Sequence, residues 1–277
     1  MRNNQRDSEG FYLIIIGEKL NSSISSALKA FEECDAAFIK REAVRQTEYG
    51  ASYLDINAGM LPNEAEKLLW AVKLAAGSTD AGISLDTASQ DAAAYVLKRV
   101  HIKRLLINSV TLEKKRLDSM LPLIKEHNAA VIALPISGKS LPKNADERIR
   151  GAREIIGALN GEGIENDRIF IDALFMAVSA DHTSAFEAIK AIRRIRQGFP
   201  DVHITGGLSN VSFGLPKRVY INNVMLAACA AAGLDSAIMD VVNKDTRMSL
   251  AAALLITGQD EYAAGYLAAY REIKTWE

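Results

Sequence analysis

The chain has 277 residues, 49 % of them apolar, with 33 basic against 34 acidic side chains and a formal net charge of −1. Such a length suits one large domain or two small ones, and the apolar content a sizeable core; no Pro- or Ser-rich linker splits the chain, so a single domain, 1–277, is expected. The balanced charge has no long basic block, so nucleic acid and anionic membrane are not indicated as partners, and no apolar run approaches the roughly 20 residues of a membrane span.

The first segment, MRNNQRDSEG (1–10), is polar and is expected to be a flexible tail; it has none of the apolar core of a signal peptide. Strands are predicted at 11–16, 52–57, 82–86, 104–108, 130–136, 168–173, 203–207 and 236–240. Between them lie stretches with apolar residues at helical spacing, such as 62–76 and 184–198. Several strands are apolar almost throughout, as parallel strands covered on both faces are. Eight such βα units predict a (β/α)8 TIM barrel. The open doubly wound sheet, the rival, usually has fewer strands, and no GxGxxG follows the first. After the eighth unit, QDEYAAGYLAAYREI predicts an extra C-terminal helix. Cys34 and Cys229 are isolated, which argues against a disulfide framework and for a cytoplasmic protein.

In a barrel of this kind the site lies at the C-terminal ends of the strands. Those ends read Glu18 and Asn21, Asp55 and Asn57, Asp86, Asn108 and Ser109, Asp172, Asn210, and Asp240 followed by Asn243. Any one of these is more simply a helix cap or a turn residue, worth about 1 kcal/mol. As a set they say more, because caps do not require acids inside strands, as in LDIN and FIDAL. The four histidines form no HxH or HExxH, and no GxSxG or GxxxxGK[ST] occurs, so no bound metal and no serine nucleophile is expected. Carboxylates and amides suit a 2-amino-4-oxo pyrimidine edge such as a pterin's, although a sugar or nucleobase would use the same groups.

Nine short motifs in order carry a resemblance: IIGEKLN (15–21), GASYLDINAG (50–59), SLDTAS (84–89), INSV (107–110), FIDAL (170–174), ADH (180–182), GLSNVS (207–212), INN (221–223) and LDSAIMD (234–240). In this order and spacing the chain resembles the pterin-binding methyltransferases that move a methyl group between tetrahydrofolate and a corrinoid protein. It is most similar to the branch that serves glycine-betaine demethylation. The resemblance implies that Asp86, Asn108 and Asp172 hydrogen-bond the pterin edge. Asn210 would be the catalytic amide near N5, the methyl-bearing atom. Asp55 and Asn57 would support the ring, and Arg218 would face the aminobenzoate-glutamate tail, with Lys139 and Lys143 as further candidates for that tail. It also implies a homodimer and, since no DxHxxG loop is present, a corrinoid carried by a separate partner protein.

Two departures from the family pattern are visible. Ala173 stands where relatives often have proline, and Phe213 where some have a polar residue. The rivals are a dihydropteroate-synthase-like pterin enzyme, which should carry a late Arg-x-His that SAIMDVVNKD lacks, the folate module of a homocysteine methyltransferase, and a non-catalytic folate-binding protein.

Overall fold

The computed structural model describes residues 13–138 and 140–274. The expected tail over 1–10, the first two residues of the first predicted strand, and Lys139 lie outside the described residues.

Eight parallel strands, β1 (Ile14–Asn21), β2 (Tyr53–Asn57), β3 (Gly82–Asp86), β4 (Leu105–Thr111), β5 (Ala130–Leu134), β6 (Ile169–Asp172), β7 (His203–Thr205) and β8 (Ser236–Met239), run in the order 7-6-5-4-3-2-1-8. A bridge between Gly207 and Ile238 joins the two outer strands and closes the barrel. Two helices follow β1, α1 (Ser25–Glu33) and α2 (Ala36–Glu48). The other strands are followed by α3 (Glu64–Ala76), α4 (Gln90–Leu97), α5 (Lys114–Glu126), α6 (Ala145–Gly161), α7 (Ser184–Gly198), α8 (Arg218–Ala232) and α9 (Lys244–Ile256), and α10 (Ala264–Lys274) is the extra helix.

The helices form where apolar residues recur at i, i+3, i+4 and i+7. In α3 the buried set is Leu68, Ala71, Val72 and Ala75; in α7 it includes Ala188, Ala191, Ile192 and Ile195. These stripes pack on the outward faces of the strands and form the main core. Inside the barrel a second cluster, Ile16, Leu106, Ile132 and Phe170, fills the middle. Below it Phe170 stacks on His203 at 4.5 Å and meets Tyr53 edge-on at 6.5 Å. The barrel is therefore packed at its centre, which leaves a ligand site to its ends, and in barrels of this type to the upper one.

The strand bounds differ from expectation in two informative places. β1 continues through Glu18, Lys19 and Asn21, and β4 continues to Thr111, beyond the predicted end at Asn108. Each has a register irregularity, at Gly17/Leu20 in β1 and at Asn108/Val110 in β4. Such bulges re-aim side chains at strand ends, and here they let polar residues sit within a strand at the mouth.

Candidate active site at the barrel mouth

The upper ends of the strands and the first turns of α8 and α9 enclose an open cavity of about 720 Å³. Asp55, Asp86, Asn108, Asn210 and Arg218 line it, together with Glu18, Lys19, Asn222 and Asp240. Asn57 and Asp172 stand at the same rim but do not line this cavity.

One wall is a hydrogen-bonded pair of carboxyl groups. Asp55, 2 % exposed, accepts from Ser84 Oγ at 2.7 Å and from Asn108 Nδ2 at 3.1 Å. Asp86 accepts from Asn57 Nδ2 at 2.9 Å and, at 3.5 Å, from Asn21 Nδ2. Burial, reinforced by the charge of Asp55, pushes Asp86 up to about 8. Burial also raises Asp55, against the hydrogen bonds from Ser84 and Asn108. Two adjacent carboxyls away from water cannot both ionise cheaply, so the pair keeps a proton at neutral pH. Asn57 is fixed on both sides. Its Oδ1 accepts from Ser22 Oγ at 3.1 Å and from the Gly59 N–H at 2.9 Å, so its amide nitrogen is aimed at Asp86.

Asp172 is half-buried at the end of β6, and its Oδ1 accepts the Leu174 N–H at 2.7 Å. Burial pushes it up to about 6, while that hydrogen bond and the charge of Arg148 pull the other way. At neutral pH it is mainly ionised.

Asn210 ends a short 3-10 turn, Leu208–Asn210. Its side chain is exposed and makes no hydrogen bond among the described residues. The turn itself is pinned. Ser209 Oγ donates to Glu18 at 2.7 Å, and Arg218 donates to Ser212 Oγ at 3.0 Å and to the Ser209 carbonyl. Burial raises Glu18, so its carboxyl is partly desolvated beneath the turn. A Cβ at position 207 would lie 2.9 Å from Asn210 Nδ2, so a side chain there would make that amide shift. Arg218 thus braces the Asn210 turn while also lining the cavity. Asn243 has the simpler role of a helix cap, accepting the Thr246 N–H at 3.0 Å. Lys143 lies in the loop before α6, away from this cavity.

Sequence reasoning missed three arginines. Arg116 on α5 donates to the carbonyls of Thr87, Ala88 and Ser109, tying the loop that follows Asp86 to the irregular stretch of β4 beside Asn108. Arg148 on α6 grips the turn after Asp172. Arg196 on α7 pairs with Asp235 at 2.8 Å below the barrel. Arginines on helices read as solvated surface, and only their contacts reveal otherwise. Lys19, which meets Asp240 at 2.5 Å, was missed for the same reason.

Chemically, the rim can accept N–H groups at Asp172, beside the cavity, and can offer a proton at the Asp55–Asp86 pair and amides at Asn108 and Asn210. Among the described residues no group of three or more His, Cys, Asp or Glu is placed to hold a metal ion. The family model for pterin binding enzymes matches residues 17–240. A methylcorrinoid:tetrahydrofolate methyltransferase of Eubacterium limosum is 33 % identical over 95 % of this chain and 97 % of its own length. A methionine synthase of Mycobacterium tuberculosis is 33 % identical over 82 % of this chain, which corresponds to 20 % of that protein. A dihydropteroate synthase of Coxiella burnetii, solved with pteroic acid, superposes with a TM-score of 0.64 at 18 % identity, covering 91 % of this chain and 95 % of that one. That likeness is one of fold.

Proposed function

The chain belongs to the pterin-binding enzymes, and from that premise we propose that it is a methyltransferase acting between a protein-bound corrinoid and N5 of tetrahydrofolate. The observation that carries this reading is a relative of that activity matched over nearly the whole of both chains. The rim chemistry supports it. Asp172, ionised, is assigned the paired N–H donors of the pterin edge. The proton of the Asp55–Asp86 pair is assigned to an unprotonated ring nitrogen, and the Asn108 amide to a neighbouring ring atom.

In the direction that forms 5-methyltetrahydrofolate, the N5 lone pair attacks the methyl carbon of methylcob(III)alamin. The cobalt–carbon bond breaks with both electrons on cobalt, and cob(I)alamin leaves. N5 then loses its proton to solvent. No covalent bond to the protein forms. Catalysis is positioning plus a hydrogen bond that tracks the changing charge at N5, the part assigned to Asn210. Arg218 braces the turn that carries that amide and is assigned the aminobenzoate-glutamate tail.

The wider setting is part of the same proposal: one barrel domain, a homodimer, a cytoplasmic location, and a corrinoid brought by a partner protein. No described helix is long and apolar enough to cross a membrane. The test is anaerobic mixing with methylcobalamin and tetrahydrofolate, with and without a corrinoid protein. Enzyme-dependent loss of methylcobalamin matched by 5-methyltetrahydrofolate is the expected result. Folate binding without turnover under both conditions points instead to a binding protein, and absence of folate binding overturns the reading.

A further inference from the structure

Arg148 is the largest side chain that the fold buries completely, at 0 % exposed. It projects from the start of α6, and its hydrogen bonds go to main-chain carbonyls: Nε to Ala173 at 3.2 Å and Nη2 to Leu174 at 3.4 Å. Its Nη1 is buried with no hydrogen-bond partner among the described residues. A guanidinium taken out of water without a carboxylate against it is costly, and a neutral side chain would brace a turn at less expense. The charge therefore needs a reason beyond bracing. Leu174 supplies the connection: it gives its N–H to Asp172 Oδ1 at 2.7 Å and its C=O to Arg148. It does so at φ +56°, a conformation that leucine rarely adopts, in a turn that has alanine rather than a stiffening proline at 173.

We propose that Arg148 is a positioning residue for pterin recognition, setting the pose of Asp172 through the Ala173–Leu174 turn and supplying the positive charge behind that carboxylate. This rests on the reading that Asp172 receives the pterin N–H groups. The charged groups that face Arg148 are Glu187, Asp181, Glu147 and Asp172. Glu187 is held by Lys190 and the Ala145 N–H, Asp181 by Thr183, and Glu147 by the Lys143 N–H and Asn144. Asp172 is the one of these that ends a barrel strand, and among the described residues Arg148 is the one charge acting on it.

The experiment is an anaerobic equilibrium titration with tetrahydrofolate between pH 5 and pH 8, with a thermal melt of each variant as a folding control. Wild type is expected to lose affinity as pH falls through about 6. Arg148→Gln is expected to weaken binding about tenfold at pH 7 and to move that acid limb to higher pH. Arg148→Lys restores the charge and returns the limb toward wild type. It still binds more weakly, because an ammonium does not span two carbonyls as a guanidinium does. In an Asp172→Asn background Arg148→Gln should add nothing. A wild-type Kd and limb in Arg148→Gln overturns the proposal, as does an equal loss in the Asp172→Asn background. Should Arg148→Gln not fold, a wild-type Kd in Arg148→Lys overturns it. Wild-type binding by Asp172→Asn alone removes Asp172 from the site, a failure of the functional reading that is distinct from failure of Arg148.

Discussion

Asn210 and Asn243 are both amides beyond the end of a strand, and their neighbours give them different work. Asn243 accepts a backbone N–H and starts α9, a role that any good capping residue fills. Among the described residues the Asn210 side chain has no hydrogen-bond partner, although the turn beneath it is held from both flanks. An exposed amide on a held turn is free to meet a ligand, which is the role proposed for it. Asn210→Ala is accordingly expected to lower kcat about 100-fold, the cost of one preorganised hydrogen bond to developing charge. The Kd for tetrahydrofolate should change less than threefold. A kcat within a factor of two of wild type removes Asn210 from the chemistry. Without the family resemblance these two amides read alike in the sequence, since the difference lies in what each touches. Asp55, Asp86, Asn108 and Asn210 were readable there because strand ends converge on one mouth. Asn57 was readable as a rim residue, but its task of aiming at Asp86 was not.

The turns are fastened by a repeated device: a helix arginine that donates to the carbonyls of the loop carrying a site residue. Arg116 does this after β3 and also reaches into β4 beside Asn108, Arg148 does it after β6, and Arg218 for the turn after β7. Guanidinium suits the task because its donors form a rigid fork. The eight strands themselves were readable from apolar runs, and α7 matches its predicted bounds, since both obey simple periodicities. The extensions of β1 and β4 were not readable, because Glu18, Lys19 and Ser109 look like loop residues until the bulges place them in a strand. Gly207 leaves the Asn210 amide room in its present position. Gly207→Ala puts a methyl 2.9 Å from Asn210 Nδ2 and displaces the amide while leaving every rim carboxylate in place. The expected outcome is a kcat loss approaching that of Asn210→Ala, with folate affinity retained and Tm lowered only slightly. If kcat and Kd fall together, the turn holds the pterin as well as the amide.

A closed barrel packed at its centre leaves its polar groups crowded at one end, and that has a consequence for the stability of the entire molecule. Asp86, Asp172, Asp55 and Glu18 are all raised above their ordinary range, chiefly by burial. Between the ordinary carboxylate range and about 8, the native state therefore binds more protons than the unfolded chain, and stability falls as pH rises. The carboxylates held low, Asp146, Asp181 and Glu187, act in the opposite sense, but only at the acid end, below this window. The ligand-free protein is expected to melt at a lower temperature at pH 8 than at pH 5.5. Asp86→Asn tests the cause. Its amide keeps the shape of a protonated carboxyl, still accepting from Asn57 and donating toward Asp55, and it has no proton to lose. It should raise Tm at pH 8 and flatten the slope, with each kcal/mol gained moving Tm by about 2–4 °C in a domain of this size. The same substitution removes the titrating partner of Asp55, so the cost of burial falls on Asp55 alone. If Asp86→Asn melts lower than wild type at pH 8 with an unchanged slope, the crowded carboxyl pair is not what limits the barrel. If it melts higher while tetrahydrofolate binding weakens, the mouth holds a strain that the ligand-free fold tolerates because the substrate's hydrogen-bonding groups need those carboxyls where they are.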